Sequence, residues 1–318
     1  MEDKAPSPER LLVLSSEVFL EHDTGAGHPE RALRLERVLA ALRADESLRE
    51  RIEWATPRAA TDIEILRCHS REHLARIEAA RGRSGRLDAD TVHSPRSVEA
   101  ARLAAGAAIE AAERCWNGTS RCALSLARPP GHHATPDRAM GFCFFNSAAI
   151  AARHVQALGC KRVLIVDWDV HHGNGTQEIF WDDASVFYYS LHQSPLYPGT
   201  GSASETGVGD GDGATLNRPL PAGYPRAEYR RLFERDIDEI ARRFAPEFAI
   251  ISAGFDSHRD DPLGSLLLED DDFAELTRIV AARVPANRVA GVLEGGYDVD
   301  ALARSVRAHA AALSACIG

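Results

Sequence analysis

Short runs of apolar, often β-branched residues alternate along the chain with longer segments in which apolar residues recur at helical spacing. The short runs predict strands at residues 11–14, 122–126, 162–166, 186–191, 248–252 and 289–293. Several are apolar at nearly every position, which is typical of strands buried on both faces. The longer segments predict helices at residues 29–44, 97–116, 146–158, 227–244, 271–282 and 300–315.

Strands that alternate with helices are typical of the α/β class, in which a mainly parallel sheet carries helices on both faces. The chain has 318 residues, a length that a single α/β domain commonly reaches. We therefore expect one domain that spans residues 1–318.

The charge balance changes the picture of possible partners. The net charge is −10, which argues against a nucleic-acid surface, since phosphate binding needs clustered Lys and Arg. The first residues, MEDKAPSPER, lack the apolar core of a signal peptide, and no apolar run approaches the ~20 residues of a membrane span. We expect a cytoplasmic protein without membrane contact.

The 6 cysteines form no C-x-x-C pair, so neither a disulfide framework nor a thiolate zinc site is indicated.

Four polar clusters each follow one of the predicted strands. They read "RPPGHHA" from Arg128, "DWDVHHGNGTQ" from Asp167, "SAGFDSHRDDPLG" from Ser252 and "LEGGY" from Leu293. Ligands of α/β proteins bind at the carboxyl ends of the strands, and neighbouring parallel strands end at one edge of the sheet. The four clusters are therefore expected to form one crevice.

The second cluster indicates a metal site. Asp167, Asp169 and His171 are spaced by two residues, so in an extended strand their side chains point to one face. Carboxylate and imidazole groups are ordinary Zn²⁺ ligands. Asp256 follows another strand and can complete a set of three with Asp169 and His171, which leaves a position for water and a substrate carbonyl.

Acid–base residues accompany this metal site. The tandem pair His132 and His133 supplies a general acid or base, with Asp167 and Asn174 as the available partners of their second ring nitrogens. Tyr297 can donate its phenol to a developing oxyanion. Together these groups predict an amidohydrolase in which water attacks an amide, although these residue types do not decide which histidine is the base.

The motifs resemble those of the zinc-dependent histone deacetylase superfamily, in particular class II-like bacterial deacetylases and acetylpolyamine amidohydrolases. The resemblance also covers "GHPERALRLERV" from Gly27, "LDADTVHSP" from Leu87, "GFCFFNSAAIAA" from Gly141 and "YPGTG" from Tyr197. It implies the arginase/deacetylase α/β fold, with a mainly parallel sheet of about eight strands and helices on both faces.

The resemblance also implies a role for each matching residue. These roles are zinc ligand for Asp169, His171 and Asp256, pairing of His132 with Asp167 and of His133 with Asn174, and carbonyl polarisation for Tyr297. In the family pattern His133 is the general base that then protonates the leaving amine, and His132 is an electrostatic helper.

Two structural potassium sites are implied by the same resemblance. The first would use Asp167, Asp169, His171, Ser190 and Leu191, largely through backbone oxygens, and the second would use Phe180, Asp183 and Val186.

A tunnel to the zinc would be lined by Gly141, Phe142 and Tyr197, by similarity to the aromatic walls that grip an acyl-lysine stem. Core packing is the alternative for both aromatic residues. An aromatic pair beside a narrow channel suits a methylene chain with an amide at its tip.

The rim of the tunnel should decide the substrate. Candidate rim acids are Glu21, Asp23, Asp88 and Asp90. For these four residues, an ordinary solvent-exposed charge in a loop is a more favoured interpretation than substrate recognition. Leu263 stands where a polyamine-selective relative would be expected to carry an acidic residue, and residues 74–94 leave no room for a long insertion that narrows the entrance. We therefore expect acetylated lysine in a peptide or protein as substrate, with acetylated polyamines as the alternative.

Two other functions fit the sequence less well. A dinuclear arginase-like enzyme would need further Asp ligands where Gly173 and His258 stand. A catalytically inactive acyl-lysine binding module would be expected to lack Tyr297 or a zinc ligand, and all are present. The sequence leaves both a monomer and a dimer open.

Overall fold

The structure is a computed structural model and describes residues 10–286 and 288–316. Its strands are β1 (Leu11–Leu14), β2 (Ile52–Ala55), β3 (Gly85–Arg86), β4 (Val92–His93), β5 (Cys122–Ser125), β6 (Val163–Asp167), β7 (Val186–Gln193), β8 (Thr215–Leu220), β9 (Phe248–Ala253) and β10 (Val289–Leu293). Its α-helices are α1 (Ala32–Ala44), α2 (Glu46–Arg49), α3 (Asp62–Ile65), α4 (Arg71–Ala79), α5 (Ser97–Trp116), α6 (Ser147–Ala157), α7 (Asn174–Ile179), α8 (Arg226–Phe244), α9 (Asp270–Ala281) and α10 (Val299–Ala315). Short 3-10 helices cover Glu17–Glu21 and Gly209–Gly211.

Eight strands form one sheet in the order β2-β1-β5-β10-β9-β6-β7-β8. Every pairing within this sheet is parallel, so the predicted α/β fold with about eight mainly parallel strands is confirmed. A separate antiparallel pair joins β3 and β4.

Helices cover both faces of the sheet, and inner strands such as β1 contribute residues to two cores. In β1, Leu11 and Val13 belong to the core that includes apolar residues of α1, α8, α9 and α10. Leu12 and Leu14 belong to the core that includes residues of α5 and α6. Because alternate residues of a strand face opposite sides, burial on both faces explains the nearly continuous apolar runs.

The two outermost strands, β2 and β8, were not predicted. β2 has the sequence IEWA, in which Trp54 is exposed, and β8 has the sequence TLNRPL, which contains Pro219. Edge strands face solvent and tolerate polar residues and proline, so the apolar run that marks the inner strands is broken there.

The predicted helices differ from the observed ones mainly at their ends. The first helix begins at Ala32 rather than at residue 29, and α4 was not predicted. Among the residues that the structure describes, no helix has the length and apolar character needed to cross a lipid bilayer.

Candidate active site

The four polar clusters follow four strands that are consecutive in the sheet, namely β5, β10, β9 and β6. All four are parallel, so the loops that follow them emerge at the same edge. The residues from these loops meet there, as the contacts below show.

Asp169, His171 and Asp256 form the one group of potential metal ligands found among residues 10–286 and 288–316. Their candidate ligand atoms all lie within 4.8 Å of one another, and all three residues are buried. The Nδ1 atom of His171 lies 3.0 Å from Oδ1 of Asp169 and 3.2 Å from Oδ2 of Asp256. An imidazole and two carboxylates in this arrangement match the ligand set of a divalent metal such as Zn²⁺.

The charges of this group also fit a bound cation. Burial and the neighbouring Asp169 carboxylate together raise the pKa of Asp256 to about 7, although His171 opposes this. Within the described part of the chain, no Lys or Arg forms an ion pair with either carboxylate. A metal ion would supply the positive charge that two adjacent buried carboxylates require.

Backbone amides hold the two carboxylates in place. The N–H of Gly295 donates to Asp169 Oδ2 at 2.8 Å, and the N–H of Val170 donates to Asp256 Oδ1 at 2.8 Å. A Cβ at Gly295 would lie 2.1 Å from Asp256 Oδ2 and 2.5 Å from Asp169 Oδ2. Glycine is therefore required at this position, since any side chain would overlap both carboxylates.

The tandem histidines are each paired as predicted. Nδ1 of His132 lies 3.0 Å from Asp167 Oδ2, and Nδ1 of His133 lies 2.9 Å from Asn174 Oδ1. The two rings lie 4.0 Å apart between centroids. The side-chain carbonyl oxygen of Asn174 accepts a hydrogen bond from the Nδ1–H group, which leaves the Nε2 lone pair of His133 free to accept a proton.

The two histidines have opposite electrostatic environments. Burial by itself lowers the pKa of His132, but Asp169 and Asp167 raise it well above its usual value. Burial lowers the pKa of His133 well below its usual value, and the neighbouring His132 and His171 lower it further. His133 therefore stays neutral near pH 7 and has a lone pair available for a proton, whereas His132 is already protonated.

Tyr297 lies in the loop that follows β10 and is 8% exposed. Its backbone N–H donates to Asp261 Oδ2 at 2.6 Å, and the Arg34 guanidinium lies 5.0 Å from the centre of its ring. Burial raises the pKa of the Tyr297 phenol well above its usual value, although Arg34 opposes this. The phenol therefore stays protonated and can donate a hydrogen bond.

A cavity of about 260 Å³ leads from the surface to these groups. It is lined by Asp90, His133, Gly141, Phe142, His171, Leu196, Tyr197, Leu263 and Tyr297. The lining includes all three predicted tunnel residues, together with Leu263 and one of the four predicted rim acids.

The tunnel wall at Gly141 and Phe142 has an unusual backbone. Both residues have positive φ, 55° for Gly141 and 68° for Phe142. A bulky residue rarely adopts this conformation, which is found mostly at functional sites. Hydrogen bonds from the Gly141 N–H to Asp90 Oδ1 at 3.1 Å and from the Phe142 N–H to Thr91 Oγ1 at 3.2 Å hold this wall in place.

The other three predicted rim acids are absent from the lining of this cavity. Glu21 forms an ion pair with Arg96 at 2.9 Å, and Asp23 accepts a hydrogen bond from the Gly25 N–H at 2.9 Å. Asp88 is half-buried and accepts from the N–H of Ala89. Asp23 and Asp88 thus make local contacts, whereas Glu21 pairs with a residue 75 positions away.

The residues of the first predicted potassium site lie on or next to adjacent strands. Asp167 at the end of β6 pairs in register with Ser190 of β7, and Leu191 follows Ser190. The second predicted site lies between α7 and β7, where Phe180 and Val186 are buried and Asp183 accepts from the Ser185 N–H at 2.7 Å. Potassium at either site stays a prediction.

Sequence reasoning missed a buried charge network behind Tyr297. Arg128 binds Glu30 through two hydrogen bonds of 2.5 and 2.7 Å, and Arg34 binds Glu30 at 2.9 Å. Arg34 also donates to the carbonyl oxygens of Gly296 at 2.6 Å and Glu294 at 2.5 Å. The sequence did hold a signal, because Glu30 and Arg34 are four residues apart in the predicted helix 29–44 and Arg128 begins one of the four polar clusters.

Comparison with known proteins gives a consistent result. A family model described as the histone deacetylase domain matches residues 28–313. A probable deacetylase of Archaeoglobus fulgidus is 39% identical over 292 residues, covering 91% of this chain and 81% of that protein. A histone deacetylase-like amidohydrolase of Pseudomonas aeruginosa is 38% identical over 285 residues, covering 88% of this chain and 75% of that protein.

A solved structure shows the same architecture. The crystal structure of the HDA15 HD domain superposes with a TM-score of 0.92 at 37% sequence identity, and the match covers 96% of this chain and 89% of that one. The residues that the family model matches, 28–313, include the four strand ends that carry the site. The chain belongs to the histone deacetylase family.

Proposed function

We propose that the protein is a zinc-dependent deacetylase that hydrolyses the amide of N-acetylated amines, with acetyl-lysine side chains of peptides or proteins as its main substrates. One observation carries this proposal. The buried group of Asp169, His171 and Asp256 lies at the inner end of a cavity whose lining also includes His133 and Tyr297.

The Asp169, His171 and Asp256 side chains would hold the metal. When bound there, zinc would act as a Lewis acid on the amide carbonyl and would lower the pKa of a water molecule to about 7. The residues of the chain then bind the substrate, stabilise charge and move protons.

His133 would act as the general base. Its depressed pKa keeps it neutral, and the Asn174 carbonyl keeps the proton on Nδ1, so Nε2 can take a proton from the attacking water. The same nitrogen then returns this proton to the leaving amine as the C–N bond breaks and acetate forms. His132, paired with Asp167, would contribute positive charge next to the reaction centre.

Tyr297 would stabilise the oxyanion. Its phenol is protonated, and the Asp261 carboxylate fixes the backbone that presents it. A hydrogen bond that is stronger to the oxyanion than to the ground-state carbonyl accelerates the reaction rather than only binding the substrate.

The cavity wall favours an extended aliphatic stem. Phe142 and Tyr197 offer aromatic surface, and Leu263 adds an apolar edge at the mouth. Asp90 uses Oδ1 for the Gly141 N–H, so its second carboxylate oxygen could accept a backbone N–H of a peptide substrate. These features support a peptide with an acetylated lysine.

Acetylated polyamines are the second candidate, because the carboxylate of Asp90 at the mouth could also attract a cationic amine. The apolar Leu263 on the same cavity favours the peptide. A catalytically inactive acyl-lysine binding module is disfavoured, since the proposed base, oxyanion donor and metal ligands are all in place.

The test is acetate release from an acetyl-lysine peptide by the zinc-loaded protein. We expect stoichiometric acetate and free lysine amine, loss of turnover after chelation and recovery on adding zinc. His133→Ala should lower turnover by ~10²–10⁴-fold, the usual contribution of a general base. A peptide that binds in a fluorescence assay without any acetate release would instead establish the binding module.

A further inference from the structure

The carboxylate of Glu294 is fully buried next to the tandem histidines. Glu294 directly follows β10 and precedes Tyr297 by three residues, and its exposed fraction is 0%. Within residues 10–286 and 288–316, no Lys or Arg side chain forms an ion pair with its carboxylate. Burying a carboxylate without such a partner is unfavourable, so its hydrogen bonds must compensate.

Those hydrogen bonds lead to the histidine loop. Oε2 of Glu294 accepts from the backbone N–H of Gly131 at 2.6 Å and of His132 at 3.1 Å. Its other oxygen, Oε1, accepts from the Ser252 hydroxyl at 2.9 Å. Two successive N–H groups thus converge on one carboxylate oxygen, an arrangement that suits an anionic acceptor.

The same carboxylate links three strand ends. The histidine loop follows β5, Ser252 belongs to β9 and Glu294 follows β10, which lies between these two strands. The backbone of Glu294 is itself fixed, because its N–H donates to Ala253 O at 2.9 Å and its carbonyl accepts from Arg34 at 2.5 Å. The carboxylate is therefore a rigid support rather than a mobile side chain.

The histidine loop is also confined on its other side. A Cβ on Gly131 would lie 2.7 Å from the Ser147 N atom and 2.9 Å from the Phe145 O atom at the start of α6. The loop is pressed between this segment and Glu294. Loss of the Glu294 hydrogen bonds would leave only one side of the loop supported, next to the rings of His132 and His133.

We propose that Glu294 is a positioning residue, whose side chain holds the backbone of Gly131 and His132 so that the two histidine rings meet the substrate in reactive geometry. This inference rests on the proposed deacetylase function. Among the described residues, the hydrogen bonds of the Glu294 carboxylate go to Gly131, His132 and Ser252, which are neither residues of the cavity lining nor metal ligands. Its loss should therefore change turnover more than substrate binding or metal content.

The test compares three variants in the zinc-loaded, full-length protein with an acetyl-lysine peptide. Glu294→Met keeps the side-chain volume and removes the strong acceptor. Glu294→Gln keeps an oxygen that can accept from the two N–H groups, and its NH₂ group can donate to the Ser252 hydroxyl oxygen. Glu36→Met, on the exposed face of α1, is the matched control for loss of a carboxylate.

We expect Glu294→Met to lower kcat by ~10–10²-fold with KM and zinc content unchanged, since a small misplacement of a catalytic group can cost ~10²-fold. Glu294→Gln should restore most of the wild-type kcat, and Glu36→Met should equal the wild type. Wild-type kcat in Glu294→Met, or a Glu294→Gln variant as slow as Glu294→Met, would overturn the inference.

If Glu294→Met does not fold, Ser252→Ala decides. It removes the hydrogen bond to Oε1, and we expect a fall in kcat of about 3-fold with unchanged KM and zinc, since one of the three hydrogen bonds that fix the carboxylate is lost while the two to the histidine loop remain. An unchanged kcat would then count against the inference. Inactivity of the wild-type protein itself would contradict the proposed function and is distinguished by the same assay.

Discussion

The floor of the cavity and its mouth are built differently. We define the floor as Asp169, His171, Asp256, His133 and Tyr297. We define the mouth as Leu263 and the predicted rim acids Glu21, Asp23, Asp88 and Asp90, of which only Leu263 and Asp90 belong to the cavity lining. Floor residues are fixed by partners far away in the chain, as in the hydrogen bond between Asp169 and Gly295, which are 126 positions apart. At the mouth, Asp23 accepts a hydrogen bond from a residue only 2 positions away, and Asp88 from its immediate neighbour.

This difference separates chemistry from substrate choice. A floor residue cannot change without disturbing contacts between the ends of several strands. Asp23 and Asp88 can change with little effect elsewhere, whereas Asp90 holds Gly141 at a separation of 51 positions and Glu21 pairs with Arg96 at a separation of 75 positions. The fold therefore maintains a hydrolytic site, whereas local loop residues adjust what it accepts.

The largest effect is expected at the floor, from removal of one metal ligand. Asp256→Asn should lose most of its zinc and its deacetylase turnover, because an amide oxygen binds Zn²⁺ more weakly than a carboxylate. Metal analysis after gel filtration measures the zinc content. Asp260→Asn, at an exposed position nearby, is the control and should keep its zinc. Full zinc occupancy in Asp256→Asn would refute its role as a ligand.

The next effect separates chemistry from metal binding within the floor. Tyr297→Phe should keep zinc yet lose at least ~10²-fold in kcat, a typical cost of one oxyanion donor. Steady-state kinetics with an acetyl-lysine peptide measure this loss. Tyr197→Phe is the control, because it keeps the aromatic wall and removes only the hydroxyl group. Tyr197 is 39% exposed, and this variant should retain turnover. Equal kcat in Tyr297→Phe and the wild type would exclude the oxyanion role.

A smaller effect is expected at the one mouth acid that lines the cavity. Asp90→Asn can still accept the Gly141 N–H but loses its charge, so KM for the peptide should rise about 10-fold, as expected for a hydrogen bond to a charged group. The change in kcat should be smaller. Unchanged KM would show that the carboxylate of Asp90 serves only the tunnel wall.

The smallest effects are expected at the remaining mouth acids. Glu21→Gln and Asp23→Asn should change kcat/KM by no more than about 2-fold, because these exposed carboxylates lie outside the cavity lining. The assay should use both a peptide and an acetylated spermidine. A loss above ~5-fold for the spermidine alone would assign these acids to cation recognition and would weaken the separation of floor and mouth.

Much of the fold and the grouping of the floor residues could be predicted from the sequence, because inner strands such as β6 read as apolar runs and their polar ends carry distinctive side chains. The edge strands β2 and β8 could not, since they are bounded by solvent. Glu294 and Asp261 were missed as supports, because a buried carboxylate that binds backbone N–H groups has no local sequence signal. Which of the mouth acids belong to the cavity lining depends on loop geometry, and only the structure provides that geometry.

The most direct test of the central claim is kcat/KM of the zinc-loaded protein on an acetyl-lysine peptide and on an acetylated spermidine, measured side by side. We predict that the same floor residues turn over both substrates, with a preference of at least about 10-fold for the peptide. The reason is that the cavity lining has the apolar Leu263 beside Asp90, where a second acidic residue would favour a cationic polyamine. A preference for the spermidine, or turnover of neither substrate, would contradict this prediction.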